Sequence, residues 1–399
     1  MVDTGYYKIR REIPPPPPGC PVDNDFSPFN TEYQKNPYAI LKEHRHDRPV
    51  FFSKKLNCLV LTRMADIVEV FLNPNVFSSE NVQHPVTPIC DAARDVLAAE
   101  DYDPLPVLSN GQPPNHTRVR KHAHAGFSPR RMKVLEPYVR RRVETLIDEM
   151  IAKGSPADFV DAVETSLSGE TIYRFVGFPE EDDLTIKNWS ANRLAFTWGK
   201  SSEDEQVLIA ENMLAYWRYC AAYVEKRLNE PADDFTSELL AAHKANPEEL
   251  EVREIVSIIY GLSFAGYEIV INLMSNCLIN LLSNRSHWQS ICNDPALIAD
   301  AITEVIRFDS PQTGWRRLAL EDTEIAGYKI PAGTELFLSL ASANHDEEVF
   351  ENPEVFDIFR ENARAHISFG KGIHFCLGNR LATLQAKIVL ETLAERLPA

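Results

Sequence analysis

The chain has 399 residues, 44% hydrophobic and 25% charged, enough for a large core and long enough for two or three ordinary domains or one large fold. A net charge of −17, from 58 acidic against 41 basic residues, disfavours wholesale binding to nucleic acid or to an anionic membrane, both of which repel a negative field. Seven scattered cysteines with no Cys-x-x-Cys pair, and an N-terminus without the apolar core of a signal peptide, lead us to expect a soluble, cytoplasmic protein in a reducing compartment.

In chain order, residues 1–19 end in "PPPPPG", a polyproline arm that can enter neither helix nor sheet. "PVFFSKKLNCLVLTR" (49–63) alternates around a turn and predicts a small hairpin. Residues 77–112 are rich in proline, with one predicted helix near 91–100; so long an irregular stretch is commonly a lid or binding loop. Helical patterns then dominate: 116–126, 130–154, 158–177 and 203–228. From 250 to 283 the sequence is apolar almost all round and predicts one central helix roughly 50 Å long. Glu268, Asn272 and Asn276 interrupt it, so it falls short of the roughly 18 unbroken apolar residues of a membrane span. "DAITEVIRFDSPQ" predicts a helix stopped by proline, and 316–346 alternates like short strands between Gly and Pro turns. No linker divides residues 20–399, which read as one domain, mainly α with a minor β region.

The chemistry concentrates in "HISFGKGIHFCLGNRLA", from His366. Cys376 stands among Gly370, Gly372 and Gly378, just where a helix is predicted to start. Amides and dipole at a helix N-terminus favour thiolate over thiol. Three readings compete: a buried packing cysteine, half of a zinc site with His374, or a thiolate aimed at something large and flat. Zinc would need two more ligands, and none lies within motif distance. Glycines around a thiolate suit a flat macrocycle, which bulky side chains would strike.

"FGKGIHFCLG" resembles the haem-binding signature of the cytochrome P450 superfamily at Phe369, Gly372, His374, Cys376 and Gly378. "EVIR", with Glu304 and Arg307, is similar to that family's Glu-x-x-Arg motif, and "PEVFDIFR" to the segment supplying a second arginine, Arg360. "HTRVR" and "RRLALED" also resemble segments of bacterial members, and the resemblance runs from about residue 20 to the end. It implies the mostly α cytochrome P450 fold, with a long central helix over a haem. It also implies haem b with an axial thiolate from Cys376, the metal ligand, cradled by Phe369 and Gly370. Glu304, Arg307 and Arg360 would be a structural ion cluster, and His116, Arg120, Arg317 and His374 donors to the haem propionates. Arginine suits such carboxylates through bidentate, charge-assisted bonds.

The implied activity is a monooxygenase that activates O2 with two electrons and hydroxylates or O-dealkylates a small, largely apolar organic substrate, aromatic ones included. Ala265, Gly266 and Glu268 fit the family's oxygen-activating segment, but Ile269 stands where it carries threonine, and isoleucine cannot donate or accept a hydrogen bond. A substrate hydroxyl or water could replace it, Glu268 could deliver protons through water, or the enzyme could run a peroxide-driven or oxidative-coupling reaction. From another class, a non-catalytic haem-thiolate sensor is the alternative. The expected substrate pocket is Phe196, Trp198, Phe264, Ala265, Ile269, Gln312 and Thr313. Arg118 and Lys121 are the expected docking point for a ferredoxin or a flavin/iron–sulfur reductase, steered by charge. The chain stops at "LAERLPA", where the resemblance implies a further strand pair, so a trimmed chain or an absent fused reductase is expected.

Overall fold

A computed structural model describes residues 15–190 and 192–398; most of the N-terminal arm, residues 1–14, lies outside them. The chain divides into two compact units. Within the described residues, one comprises 83–271 with 380–388, and the other is made of 15–82, 272–379 and 389–398. Each is assembled from separated segments, which is why no single linker is visible in the sequence.

The first unit is helical. Its spine, Glu203–Asn229, starts at a capping box in which Ser202 and Glu205 satisfy each other's backbone amides. It packs against Asp91–Leu97, Asp183–Ser190 and Val252–Ala265. The irregular stretch is fastened to these helices. The Cys90 amide donates to Gln206 Oε1 at 2.7 Å, the Leu105 amide to Ser257 Oγ at 2.9 Å, and the Tyr102 and Tyr260 hydroxyls lie 3.0 Å apart.

The expected single helix over 250–283 is two helices, Val252–Ala265 and Glu268–Ser283, broken at Gly266–Tyr267. Tyr267 bonds back only three residues, to the Phe264 carbonyl at 3.4 Å. The Ser168 hydroxyl donates to the Tyr267 carbonyl at 2.7 Å and lies 3.2 Å from that of Gly266, satisfying the opened turn. Only glycine fits at 266, because a Cβ would come within 2.9 Å of Ile172 Cγ1. By length and composition Val252–Ser283 does reach what a membrane crossing needs, which corrects the sequence expectation; most of its apolar stretch is nonetheless buried inside the protein. Asn276 and Asn280 use their side-chain amides on the Asp309 carbonyl, at 2.8 Å, and carboxylate, at 3.2 Å.

The second unit holds the sheet. Strands β1 (Val22–Asp23), β2 (Val50–Ser53), β3 (Cys58–Leu61), β4 (Phe77–Ser78) and β5 (Trp315–Ala319) join β8 (Glu335–Leu338) in the order β1-β2-β3-β8-β5-β4. β6 (Thr323–Ile325) and β7 (Tyr328–Ile330) form a separate hairpin. The predicted hairpin at 49–63 is β2–β3, paired from Val50↔Leu61 to Ser53↔Cys58. Leu59, Leu61, Leu336 and Leu338 carry one face of the sheet into a core with Ile67, Phe71, Phe350 and Ile367.

Candidate haem-thiolate site

The cysteine loop belongs to the second unit. Gly370 and Gly372 both adopt φ of +71°, the left-handed region where glycine is unstrained. At 372 a Cβ would also meet the Phe71 carbonyl oxygen at 2.8 Å. The turn brings the Cys376 amide to the Phe369 carbonyl at 2.9 Å, and Asn379 donates its side-chain amide to the Cys376 carbonyl at 2.7 Å. Helix Asn379–Arg396 starts three residues after the cysteine, with Gly378 as its N-cap. Cys376 therefore stands just ahead of the helix, not within it as the sequence pattern suggested. It is half-buried, whereas Cys58 and Cys220 are fully enclosed and burial pushes their thiols well up; Cys20 is pushed up to about 11. Gly378 leaves the sulfur room: a Cβ there would lie 4.0 Å from Sγ.

A buried scaffold fixes this loop. Arg307 clasps Glu304 through two bonds of 2.7 Å, and Arg360 donates Nε to the same carboxylate at 3.2 Å; Arg307 and Glu304 are 0% and 1% exposed. Arg307 also donates to the Asn344 and Pro353 carbonyls at 3.0 Å each. Asn344 in turn receives the Ile367 amide at 2.9 Å and donates to Ser368 Oγ at 2.7 Å. The Ser368 hydroxyl then donates to the Ile306 carbonyl at 2.7 Å, so the segment leading to Phe369 is tied back onto the cluster's own helix. The Glu304–Arg307 spacing and Arg360 were legible in sequence; Asn344 and Ser368 were not, because nothing local marks them.

Arg317 is the clearest sign of an anionic partner. It is 2% exposed, gives one N–H to the Arg316 carbonyl at 2.8 Å and sits 5.0 Å over the Phe71 ring. Burial alone acts on it, pulling its guanidinium down to about 9. Among the described residues no carboxylate pairs with it, and a buried cation so placed is costly, so a negative group from outside the chain would relieve it. A haem propionate would suit that charge, and a half-buried cysteine with glycine neighbours would suit an axial thiolate. The donor set fits. His374, also in this unit, has Nε2 3.2 Å from the Ser79 hydroxyl. Among the described residues no three His, Cys, Asp or Glu side chains cluster to hold a metal ion, so the zinc reading gains no further ligands.

The first unit carries the other expected residues. His116 is buried and Arg120 half-buried on helix Asn115–Gly126. Arg118, on the same helix, is committed within the protein: it donates to both Glu254 oxygens, at 2.9 and 2.6 Å, and to the Glu249 carbonyl at 2.9 Å. Arg118 is thus engaged in the protein's own ion pairs, while Lys121, 74% exposed, lies 3.9 Å from Glu249 Oε2. At the helix break Ala265 is exposed and Gly266, Glu268 and Ile269 are half-buried. Phe264, expected to line a pocket, is instead part of an aromatic core, edge-on to Tyr216 and Tyr260 at centroid distances of 5.5 and 4.9 Å, with the Arg193 guanidinium 5.4 Å over its ring. Phe196 is buried and Trp198 half-buried. In the second unit Gln312 folds its amide onto the Gly314 carbonyl at 2.7 Å, and Thr313 is exposed.

A glycine-framed cysteine loop tied to a buried ion cluster, in the same unit as a buried arginine that no described carboxylate meets, is the donor set of a haem-thiolate site. The family model described as Cytochrome P450 matches residues 208–397. Polyketide biosynthesis cytochrome P450 PksS of Bacillus subtilis is 31% identical over 94% of this chain and 91% of its own length. The structure of cytochrome P450 CREJ in complex with (4-ethylphenyl) dihydrogen phosphate is 40% identical, with a TM-score of 0.90 over 94% of this chain and 93% of that one. An intact type IV self-sufficient cytochrome P450 monooxygenase is 34% identical, with a TM-score of 0.91 over 95% of this chain and 50% of that one. The chain belongs to the cytochrome P450 family. It is an oxidoreductase of the monooxygenase kind, with haem b held through a cysteine thiolate.

Proposed function

We propose that this P450 oxidises small alkyl-substituted aromatic molecules bearing an acidic group, aryl phosphate monoesters being the leading class. The reaction is hydroxylation or O-dealkylation. The observation that carries this reading is the 40% identity, over nearly the whole chain, to CREJ, a protein whose structure holds (4-ethylphenyl) dihydrogen phosphate. Apolar Ile269 and Trp198, both half-buried, are compatible with an aromatic guest. Haem bound at Cys376 supplies dioxygen activation, with the thiolate pushing electron density onto iron. The chain's own part is to hold that ligand, position the substrate and limit water. His116, Arg120, His374 and Arg317 are assigned to the two propionates, and Ala265, Gly266 and Ile269 to the oxygen-activating flank.

Electrons come from a ferredoxin or a flavin/iron–sulfur reductase that meets the Lys121 surface; similarity to the haem-containing half of a self-sufficient enzyme supports a reductase of that kind. The protein works in the cytoplasm. Ile269 favours a second reading, a peroxide-driven or oxidative-coupling reaction, because no hydroxyl stands at that position.

Difference spectra of the ferric protein test the substrate class. 4-Ethylphenyl phosphate should perturb the haem spectrum at about tenfold lower concentration than 4-ethylphenol, the worth of one good charge-assisted bond. Tighter binding of a neutral steroid than of either would contradict the assignment.

A further inference from the structure

The two propionate donors assigned in the second unit, Arg317 and His374, come from distant parts of the chain, and one short segment reaches both. Strand β4 lies antiparallel to β5, pairing Phe77 with Ala319 and Ser78 with Leu318, and the Leu320 amide donates to the Val76 carbonyl at 2.8 Å. The short turn Glu80–Gln83 follows, and Ser79 and Asn81, 1% and 0% exposed, lie at this junction. The Ser79 hydroxyl is 3.2 Å from His374 Nε2. Asn81 donates its side-chain amide to the Arg317 carbonyl at 3.0 Å, and its own backbone carbonyl accepts from Arg316 Nη2 at 2.6 Å. Successive side chains of a strand point to opposite faces, so Arg316 goes toward Glu335 Oε2, 3.8 Å away, and Arg317 toward the Phe71 ring.

Asn81 Oδ1 is buried and meets no donor among the described residues. A buried acceptor left open is unfavourable, so the chain tolerates a loss there to keep the amide on the Arg317 backbone. Arg317 Nη1 folds back onto the Arg316 carbonyl at 2.8 Å, and holding the 316–317 backbone therefore also holds the guanidinium. A hydrogen bond to one nitrogen of an imidazole likewise fixes the plane of the ring and the direction of the other nitrogen. We propose that Ser79 and Asn81 are positioning residues for the haem carboxylates: Ser79 sets the His374 ring and Asn81 the Arg317 guanidinium, so residues 79–81 aim both donors at once. The inference rests on the assignment of Arg317 and His374 to the propionates and is independent of the substrate class.

The test follows haem transfer from the ferric holoprotein to excess apomyoglobin, with the propionate bending bands of the resonance Raman spectrum as a spectroscopic check. Ser79→Ala and Asn81→Ala should each speed transfer about fivefold, the worth of one ordinary hydrogen bond, and shift those bands. Ser79→Thr keeps the hydroxyl and should stay within about twofold of the parent. Because Ser79 acts through His374, Ser79→Ala should add less than about twofold in a His374→Gln background. Arg317→Gln, which removes the buried charge itself, should speed transfer about thirtyfold. The Ser79 variants decide the matter by themselves if Asn81→Ala, altered at a fully enclosed position, does not fold. Transfer unchanged in Arg317→Gln and His374→Gln would refute the propionate assignment and this inference with it. Transfer speeded in those two but unchanged in Ser79→Ala, or speeded by Ser79→Ala equally with and without His374, would leave the assignment standing and overturn the positioning role alone.

Discussion

The support beneath Cys376 and the break in the central helix differ in how many bonds specify them. Behind the cysteine loop, Glu304 is clasped by two arginines, Arg307 reaches three backbone carbonyls, and Asn344 with Ser368 passes that order on to the loop. At the break, a single hydroxyl from Ser168 and one close approach of Gly266 to Ile172 hold two helices at an open turn. The first region is a fixed platform whose chemistry tolerates little change. The second is sparsely held, so one side chain can alter it, and there the chain departs from its family's pattern.

Damage to the platform should be the largest effect. Glu304→Gln leaves two buried guanidinium groups with no carboxylate, costing about 3–5 kcal/mol, and denaturant unfolding of the holoprotein should show it together with loss of haem. Acid comes next, and it also acts on the platform. Burial pulls His345 and His366 down from 6.5 to about 4. His345 Nε2 bonds the Phe308 carbonyl at 2.7 Å and its buried Nδ1 has no partner, while His366 Nδ1 accepts the Ser368 amide at 3.2 Å. Both are held neutral when folded, so an unfolded chain gains protons first as pH falls. The stability they contribute is intact above 6.5 and is lost as pH drops through 4, roughly 3 kcal/mol for each. A melting series across that window checks it, and His366→Asn should flatten the slope.

At the break the effects are smaller. Ile269→Thr should raise product per NAD(P)H consumed by about twofold, well short of the roughly hundredfold or more that a positioned acid–base group supplies, because Ser168 already satisfies the carbonyls there. An unchanged ratio would remove any proton-relay meaning from this position. Smallest of all, Ala326 and Gly327 turn the β6–β7 hairpin with φ of +52° and +83°. Ala326→Asn should stabilise by about 0.5–1 kcal/mol, since asparagine tolerates that region.

What sequence could and could not reveal follows the same division. Residues that act through local spacing, such as Glu304 with Arg307 or the glycines around Cys376, were readable in one dimension. The mainly α fold and the β2–β3 hairpin were readable from periodicity. Asn344, Ser368, Ser168 and Arg193 act through contacts with residues distant in the chain, so no local pattern exposes them. The central helix looked continuous because its apolar periodicity runs straight through Gly266–Tyr267; only the tertiary closeness of Ile172 and the Ser168 hydroxyl make a break there stable. Arg118 looked like a free cation because Glu254, its partner, comes from another helix.

The account rests most heavily on the sulfur of Cys376. Carbon monoxide added to the reduced holoprotein reads its ligation directly: the parent should show the strongly red-shifted absorption of thiolate-bound haem, and Cys376→Ser should abolish it. A parent without that band, or a serine variant that keeps it, would contradict the assignment of this loop as the haem ligand.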